Sequence, residues 1–312
     1  MGDNTAIEWC DATWNPVAGC CPVDESCAGC WAERFAAGRL KNHQRYKNLT
    51  RDGRWVGVVR CFESELQRPL HWRKPRRIAV GLMGDLFHER VPLPFIKRVL
   101  LTAAACQKHR YLFLTKRARR LRDFTAWFLR DAGLDSWPDL LSNVAFGVSA
   151  GTPEDLYDRL PHLIQAPVST RFLSLEPLIR WDRDGIGLAG ICPKDWGKGF
   201  TPVGDHIDWV IVGGESGPKA RPMHPEWVYG IRDECVDAGV SFFFKQWGEW
   251  RPVVPHEPFG PPRYFFDTDG RLMEELEGGF ESPKVIHRVG KKAAGRLLDG
   301  RTWEQVPEGL KI

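Results

Sequence analysis

A complete or partial (β/α) barrel is the architecture this chain predicts, and three features point to it. Between residues 76 and 247, short and nearly continuous apolar runs alternate with amphipathic helical patterns. The continuity of the runs suits parallel strands covered on both faces. About seven βα units can be read in all, which favours a barrel over an open doubly wound sheet, the second choice.

The first unit is read from Ala6 to Val17, with a helix from Cys30 to Leu40. Strands are then predicted at Arg77–Met83, Tyr111–Thr115, Asn143–Val148, Arg171–Leu175, Asp208–Val212 and Ser241–Phe244. The intervening segments place their apolar residues on one helical side: Phe95, Ile96, Val99, Leu100 and Ala103; Leu121, Phe124 and Phe128; Leu156, Leu160, Leu163 and Ile164; Trp227, Val228, Ile231 and Cys235. Thr152-Pro153-Glu154 offers a cap, a first-turn proline and an acid at the positive helix end, and His224-Pro225-Glu226 repeats the last two. Gly239 supplies a stop.

Two segments break this rhythm. Residues 182–206 are glycine-rich and read as a loop insertion within a barrel domain of residues 1–250. Prolines after Trp250 mark a boundary, so residues 251–312 form a C-terminal extension with a hairpin, its turn at Asp267-Thr268-Asp269-Gly270, and a basic tail.

Composition narrows the function. An apolar share of 43%, with 14 Trp and 17 Phe, supplies a large core and excludes disorder, collagen and coiled coil. The net charge of +4 permits a polyanionic partner only through a local basic footprint. A polar, acidic start and the lack of a long apolar run suggest a cytoplasmic protein without a membrane partner. No Ser/His/Asp order, P-loop or His-Glu-x-x-His signature occurs, so hydrolase and nucleoside triphosphatase readings lack a motif.

The nine cysteines are unevenly placed, and the strongest motif is Cys20, six residues, Cys27, two residues, Cys30. Thiolates are soft ligands that suit an iron-sulfur cluster or zinc. Structural zinc usually takes four protein ligands, and Cys21, Cys10, Cys61 or His43 would have to complete the set without a motif's spacing. Unliganded thiols or a redox pair complete the alternatives. The cysteine loop follows the first predicted strand, the end of a β/α barrel where active sites lie.

Other strand ends carry polar residues: Gly84 and Asp85, Glu176, and Gly213-Gly214-Glu215. Paired glycines let backbone N–H groups approach a ligand, and Glu215 could accept from an amine or a ribose hydroxyl. Lys116 and Arg117 follow another strand end and could contact phosphate, as could Lys245. Further basic runs lie at Arg119, Arg120 and Arg122, at Arg73, Lys74, Arg76 and Arg77, and at Lys291, Lys292 and Arg296. His88, on the loop after Asp85, reads as structural or exposed.

Ile7-Glu8-Trp9, Thr13-Trp14-Asn15-Pro16, the three-cysteine loop, Gly84-Asp85-Leu86-Phe87-His88, Phe113-Leu114-Thr115-Lys116-Arg117, Leu173-Ser174-Leu175-Glu176-Pro177, Gly213-Gly214-Glu215-Ser216-Gly217 and Phe244-Lys245-Gln246-Trp247-Gly248 together resemble the phage-associated three-cysteine-motif family, which is itself radical SAM-like. The likeness extends to the tail at Val289–Gly300. It implies a β/α barrel of radical SAM type, a 4Fe-4S cluster on Cys20, Cys27 and Cys30, and S-adenosyl-L-methionine bound at the fourth iron. The usual radical SAM spacing is three residues then two, with an aromatic before the last cysteine; here it is six then two, with Gly29 before Cys30 and Trp31 after it. The Gly-Gly-Glu that usually follows the second strand comes late, at Gly213-Gly214-Glu215, and Gly84-Asp85 stands in the earlier place.

The expected function is therefore a radical SAM-like enzyme that modifies or repairs nucleic acid or a nucleotide-related substrate. Gly84, Asp85, Glu176, Gly213, Gly214 and Glu215 are expected at the S-adenosyl-L-methionine cofactor, and Lys116, Arg117 and Lys245 at the substrate. Expected partners are nucleic acid and a reductant such as flavodoxin or ferredoxin. The alternative is a non-catalytic zinc or iron-sulfur nucleic-acid-binding protein.

Overall fold

In a computed structural model the described residues are 5–181, 186–190, 201–253, 263–266, 272–273 and 284–312. The frame is a parallel sheet of seven strands: β1 (Ala12–Trp14), β2 (Arg77–Val80), β3 (Arg110–Thr115), β4 (Val144–Ser149), β5 (Thr170–Leu175), β6 (Trp209–Gly213) and β7 (Ser241–Gln246). Between them run α1 (Trp31–Ala37), α2 (Leu93–Ala105), α3 (Ala118–Ala132), α4 (Pro153–Gln165) and, before β7, α5 (Pro225–Asp237). The strands pair strictly in chain order, β1 to β7. A doubly wound sheet would reverse direction at a switch point. This order instead winds one way and makes a partial (β/α) barrel, with β1 and β7 left as edges.

Alternation along the strands sorts the core into two faces. Ile78, Tyr111, Phe113, Phe146, Leu173, Val210 and Phe242 join the helix residues Val99, Leu121, Leu160 and Ile231 in one cluster. Ala79, Leu112, Ala145, Phe172, Trp209, Ile211 and Phe243 form the inner face with Trp9 and Leu310. Gly147 is required here, because a Cβ on it would stand 2.5 Å from the Phe172 ring. Cys106 and Cys235 are buried core residues.

The helix signals act as the sequence suggests. Thr152 Oγ1 accepts from the Asp155 N–H at 3.2 Å and caps α4. His224 Nδ1 accepts from the Glu226 N–H at 3.1 Å at the start of α5, a ring nitrogen doing the work of a hydroxyl.

After the barrel, β8 (Trp250–Pro252), β9 (Arg263–Phe266), β10 (Leu272–Met273) and β11 (Lys284–Arg288) form an antiparallel sheet. β9 and β10 pair as a hairpin, while its expected turn at Asp267–Gly270 lies outside the described residues. Trp250, Phe266 and Ile286 belong to the same core cluster as the barrel helices, so this sheet shares the barrel's core. The tail returns along β7, where the Phe244 N–H donates to Trp303 O at 3.0 Å, and ends with Leu310 fully buried against the inner face. Of the 182–206 loop, 186–190 and 201–206 are described; Ile186 and Leu188 are buried, their N–H groups donating to Glu234. Among the described residues no helix is long and apolar enough to cross a membrane.

Candidate functional site

The carboxyl ends of the strands open onto a cavity of about 510 Å³. Thr13, Ser149, Ser174 and Lys245 line it from four strands, replacing the apolar residues found deeper on the same face, and Thr115 and Gln246 join them from the last residues of β3 and β7. Cys20, Cys27, Cys30, Gly84, Asp85, Lys116, Arg117, Glu176, Gly214 and Glu215 also line it. Gly213 alone of the expected site residues stands behind the wall, where a Cβ would lie 3.3 Å from Glu176 Cδ.

The cysteine loop is anchored by Asp24. Its Oδ1 accepts from the Cys27 N–H at 3.1 Å, Ser26 Oγ at 2.7 Å and Lys116 Nζ at 2.8 Å, and its Oδ2 from Arg159 Nη2 at 2.6 Å. Burial alone would raise this carboxyl, but the Lys116 ammonium and the remaining donors hold it well below the usual carboxylate range. Arg159 also reaches Ser149 O and Asp155, so α4 holds the loop over the end of β4. Where the loop begins, Gly19 and Gly84 form a parallel bridge. A Cβ at Gly84 would meet Gly19 O at 2.9 Å, so Gly84 lets β2 approach the residue preceding Cys20.

A second clamp comes from the segment after β6. The Glu215 carboxylate accepts from Arg221 Nε at 2.8 Å, Arg221 Nη2 at 3.1 Å and the Arg221 N–H at 2.8 Å. Arg221 Nη1 continues to Glu25 O at 3.3 Å, and Arg34 on α1 donates to Ser216 O at 2.5 Å. A side chain at Gly217 would displace that guanidinium, since its Cβ would lie 1.9 Å from Arg34 Nη1.

Lys116 and Arg117, expected at the substrate, both line the cavity and are bonded to protein partners. Lys116 Nζ is bonded to Asp24 and Ser26 and lies 3.6 Å from Cys27 Sγ. Arg117, 7% exposed, donates to Asp85 Oδ2 at 2.9 Å and to Glu89 at 3.1 Å, and stands 3.7 Å from Cys20 Sγ and 3.1 Å from Cys21 Sγ. Asp85 in turn is saturated: beyond Arg117 it accepts from the Phe87 N–H at 2.9 Å and from Thr115 Oγ1 at 2.8 Å. The acid expected at a cofactor thus orients the arginine that faces two cysteines.

His88 is buried rather than exposed, with Nε2 3.1 Å from Cys21 Sγ and Nδ1 accepting from the Arg90 N–H at 3.1 Å. Among the described residues, Cys21, His88 and Glu89 are the one group of three whose candidate ligand atoms all lie within 4.8 Å of one another. The Arg117 guanidinium bonds both Cys21 and Glu89, so a cation already joins this trio.

In the other basic runs several residues are engaged within the protein, while Arg73, Lys74, Arg119 and Lys292 are exposed. Arg77 starts β2, at the end of the strands remote from the cavity, and Arg76 stacks on Trp72. Arg120 donates to Val91 O, Arg122 pairs with Asp123, and Arg296 with Glu304. Glu176 and Lys245 form an ion pair across β5 and β7 at the cavity wall.

Cys20, Cys27 and Cys30 suit a cluster in their chemistry and spacing. Their sulfurs do not all lie within 4.8 Å of one another. One tetrahedral zinc, with bonds of about 2.3 Å, would draw three thiolates to about 3.8 Å apart. A cubane seats each thiolate on a separate iron and spreads them more widely. Burial pushes the Cys20 thiol up to about 12, and raises that of Cys30, so a metal centre is what would draw off their protons at neutral pH. Glu8 Oε2, Trp9 Nε1 and Gln246 Oε1 are buried without a protein partner, and all three residues line the cavity. Such orphans suit a polar ligand that completes their hydrogen bonds.

The family model described as "Protein of unknown function (DUF5131)" matches residues 4–307. No curated protein matches the chain. Among solved structures, a spore photoproduct lyase mutant is similar over 78% of this chain and 78% of its own, at 9% identity and a TM-score of 0.47. Spore photoproduct lyase complexed with dinucleoside spore photoproduct is similar over 92% of this chain and 71% of its own, at 9% identity and a TM-score of 0.41. A mutant with bound AdoMet and dinucleoside spore photoproduct gives the same coverage, at 10% identity and a TM-score of 0.43.

Proposed function

The chain belongs to the DUF5131 family, whose description names no activity, and we propose that it is a radical SAM-like iron-sulfur enzyme that modifies or repairs nucleic acid or a nucleotide-related substrate. The observation that carries this reading is the meeting of Cys20, Cys27 and Cys30 with the strand-end polar residues around one cavity at the carboxyl end of a partial barrel. Cys20, Cys27 and Cys30 would hold a 4Fe-4S cluster, leaving one iron for S-adenosyl-L-methionine; the pair supplies one-electron chemistry, the electron coming from a reductant such as flavodoxin or ferredoxin.

The protein's own residues do the positioning. Asp24 and Arg159 fix the cysteine loop, and Asp85 aims Arg117 at the sulfur of Cys20. Donors to cluster sulfurs raise a reduction potential, and Lys116 beside Cys27 adds to that effect. Glu8, Gln246 and the Glu176–Lys245 pair offer the amine and carboxylate partners that an amino-acid-bearing cofactor needs. A radical SAM-like identity also fits the resemblance to the phage-associated three-cysteine-motif family.

Anaerobic reconstitution followed by iron and sulfide assay, then incubation with S-adenosyl-L-methionine and dithionite, tests this. Four irons and four sulfides per chain, with release of 5′-deoxyadenosine, are expected. Stoichiometric zinc without iron would overturn the enzyme and favour a zinc nucleic-acid-binding module.

A further inference from the structure

The excursion between α1 and β2 is strongly basic, and its cations are largely exposed, whereas in the equally basic stretch of residues 108–122 Arg110, Lys116, Arg117, Arg120 and Arg122 are bonded within the protein. Residues 39–60 hold seven Lys or Arg against one carboxylate, Asp52, a net of +6 in a chain whose total is +4. Arg45, Arg54 and Arg60 are used internally, on Glu65, on Glu33 and on Arg45 O. Arg39, Lys41, Lys47 and Arg51 are exposed and, among the described residues, have no acidic partner.

The excursion is built against the cysteine loop. The buried carboxylate of Glu33 accepts from the Trp55 N–H at 2.7 Å and from Arg54 at 3.1 Å, and Arg54 also donates to Ala28 O at 3.1 Å. Arg51 and Arg54 stand directly opposite in a two-residue antiparallel ladder (Thr50–Arg51 with Arg54–Trp55). Like charges so placed repel. Glu33 answers only one of them, so an external anion beside Arg51 would relieve the pair. Tyr46 and Leu49 are buried against α1, and the exposed apolar side chains of the excursion, Val56 and Val58, are short, so no large apolar face is offered to a bilayer.

Aromatic surface lies between this charge and the cavity. Trp31, next to Cys30, is 47% exposed, and both Trp31 and Trp55 line the cavity. Cations that track a phosphate backbone beside aromatic faces that accept unpaired bases make a single-strand platform. A base stacked in a duplex could not reach a strand-end cavity without leaving its stack.

We infer that residues 39–55, with Trp31, form the surface that binds single-stranded nucleic acid and directs a base to the cavity, an inference that rests on the proposed function. Arg39, Lys41, Lys47 and Arg51 take the phosphates, while Trp31 and Trp55 stack the bases.

The test is equilibrium binding of a fluorescent single-stranded oligonucleotide to the full chain over a salt series, for wild type and a quadruple variant Arg39→Gln, Lys41→Gln, Lys47→Gln, Arg51→Gln. The variant should bind at least about tenfold more weakly at low salt, with the salt slope reduced by about 0.7 for each phosphate left unneutralised. Trp31→Ala should weaken single-strand binding more than duplex binding. A folding-independent readout is amine acetylation of wild type, in which the oligonucleotide should protect Lys41 and Lys47 and leave Lys74 reactive.

A quadruple variant that binds like wild type, or equal protection of Lys74, would overturn this surface and leave nucleic acid as substrate. Wild type that fails to bind the oligonucleotide at low salt would overturn the nucleic-acid reading itself. Tighter binding to vesicles of phosphatidylglycerol and phosphatidylcholine in equal parts would make the occupant a membrane and overturn the inference.

Discussion

The Glu215 carboxylate occupies the space that a side chain at Gly29 would need: a Cβ there would lie 1.7 Å from Glu215 Oε1. The glycine before Cys30, a departure from the aromatic of the radical SAM pattern, is thus matched to the late Gly-Gly-Glu. One carboxylate, held by Arg221, presses on the peptide between Cys27 and Cys30. It therefore acts on the shape of the cysteine loop.

A Gly29→Ala variant should be destabilised by about 1–3 kcal/mol through overpacking, with iron content falling as the loop is displaced. Adding Glu215→Ala should recover part of both, because the space is then free. A thermodynamic cycle from denaturant melts measures the coupling, and strictly additive effects would contradict direct contact.

The buried Asp24–Arg159 pair should matter far more than the exposed Glu154–Arg180 pair. Arg159→Met removes one of two cations from a buried carboxylate, which typically costs about 3–5 kcal/mol. Arg180→Ala should cost below about 1 kcal/mol, as exposed pairs do. Chemical denaturation of the two variants compares them, and equal losses would refute the anchoring role of Asp24.

The strands and helices are legible in the sequence because both faces of each strand are covered, leaving apolar runs without ambiguity at Tyr111–Thr115 or Arg171–Leu175. The cysteines and strand-end acids are legible as chemistry at chain positions that a barrel brings to one rim. What they bond to is not. Arg159 meets Asp24 across 135 residues, and nothing near either marks the pairing. Lys116-Arg117 reads as a basic pair at a strand end, yet burial beside Asp24 and Asp85 makes these cations internal. Conversely, residues 39–60 pass unnoticed because their charges are interspersed with Asn, Gly and aromatic residues and form no run. Glu8 and Gln246 occur within motifs that carry the family resemblance, but only the fold leaves Glu8 Oε2 and Gln246 Oε1 buried without a protein partner.

Replacing Glu176 by Gln should weaken S-adenosyl-L-methionine binding while iron content holds, since this carboxylate lies at the cavity wall with Lys245 and touches no cysteine. Lys116→Ala should do the reverse, lowering cluster retention with little effect on oligonucleotide affinity, because its ammonium is engaged by Asp24 and Cys27. Calorimetric titration with the cofactor, read beside iron assays, separates the two. A Lys116 variant that keeps its cluster and loses oligonucleotide binding would restore that lysine to the substrate.

The neighbours Cys20 and Cys21 should differ sharply. All four cysteines of the loop line the cavity, but Cys21 Sγ is engaged by His88 Nε2 and Arg117 Nη2, each at 3.1 Å, whereas Arg117 stands 3.7 Å from Cys20 Sγ. Replacing Cys20, Cys27 or Cys30 by Ala should therefore abolish iron-sulfur absorbance after anaerobic reconstitution, since three ligands are the fewest that hold a cluster with one open iron. Cys21→Ala should keep it, as should Cys106→Ala and Cys235→Ala, whose thiols are small core groups. Visible spectra of each variant and wild type at matched protein concentration make the comparison. Full absorbance in Cys20→Ala together with its disappearance in Cys21→Ala would shift the ligand set by one residue and make His88 a neighbour of the metal centre.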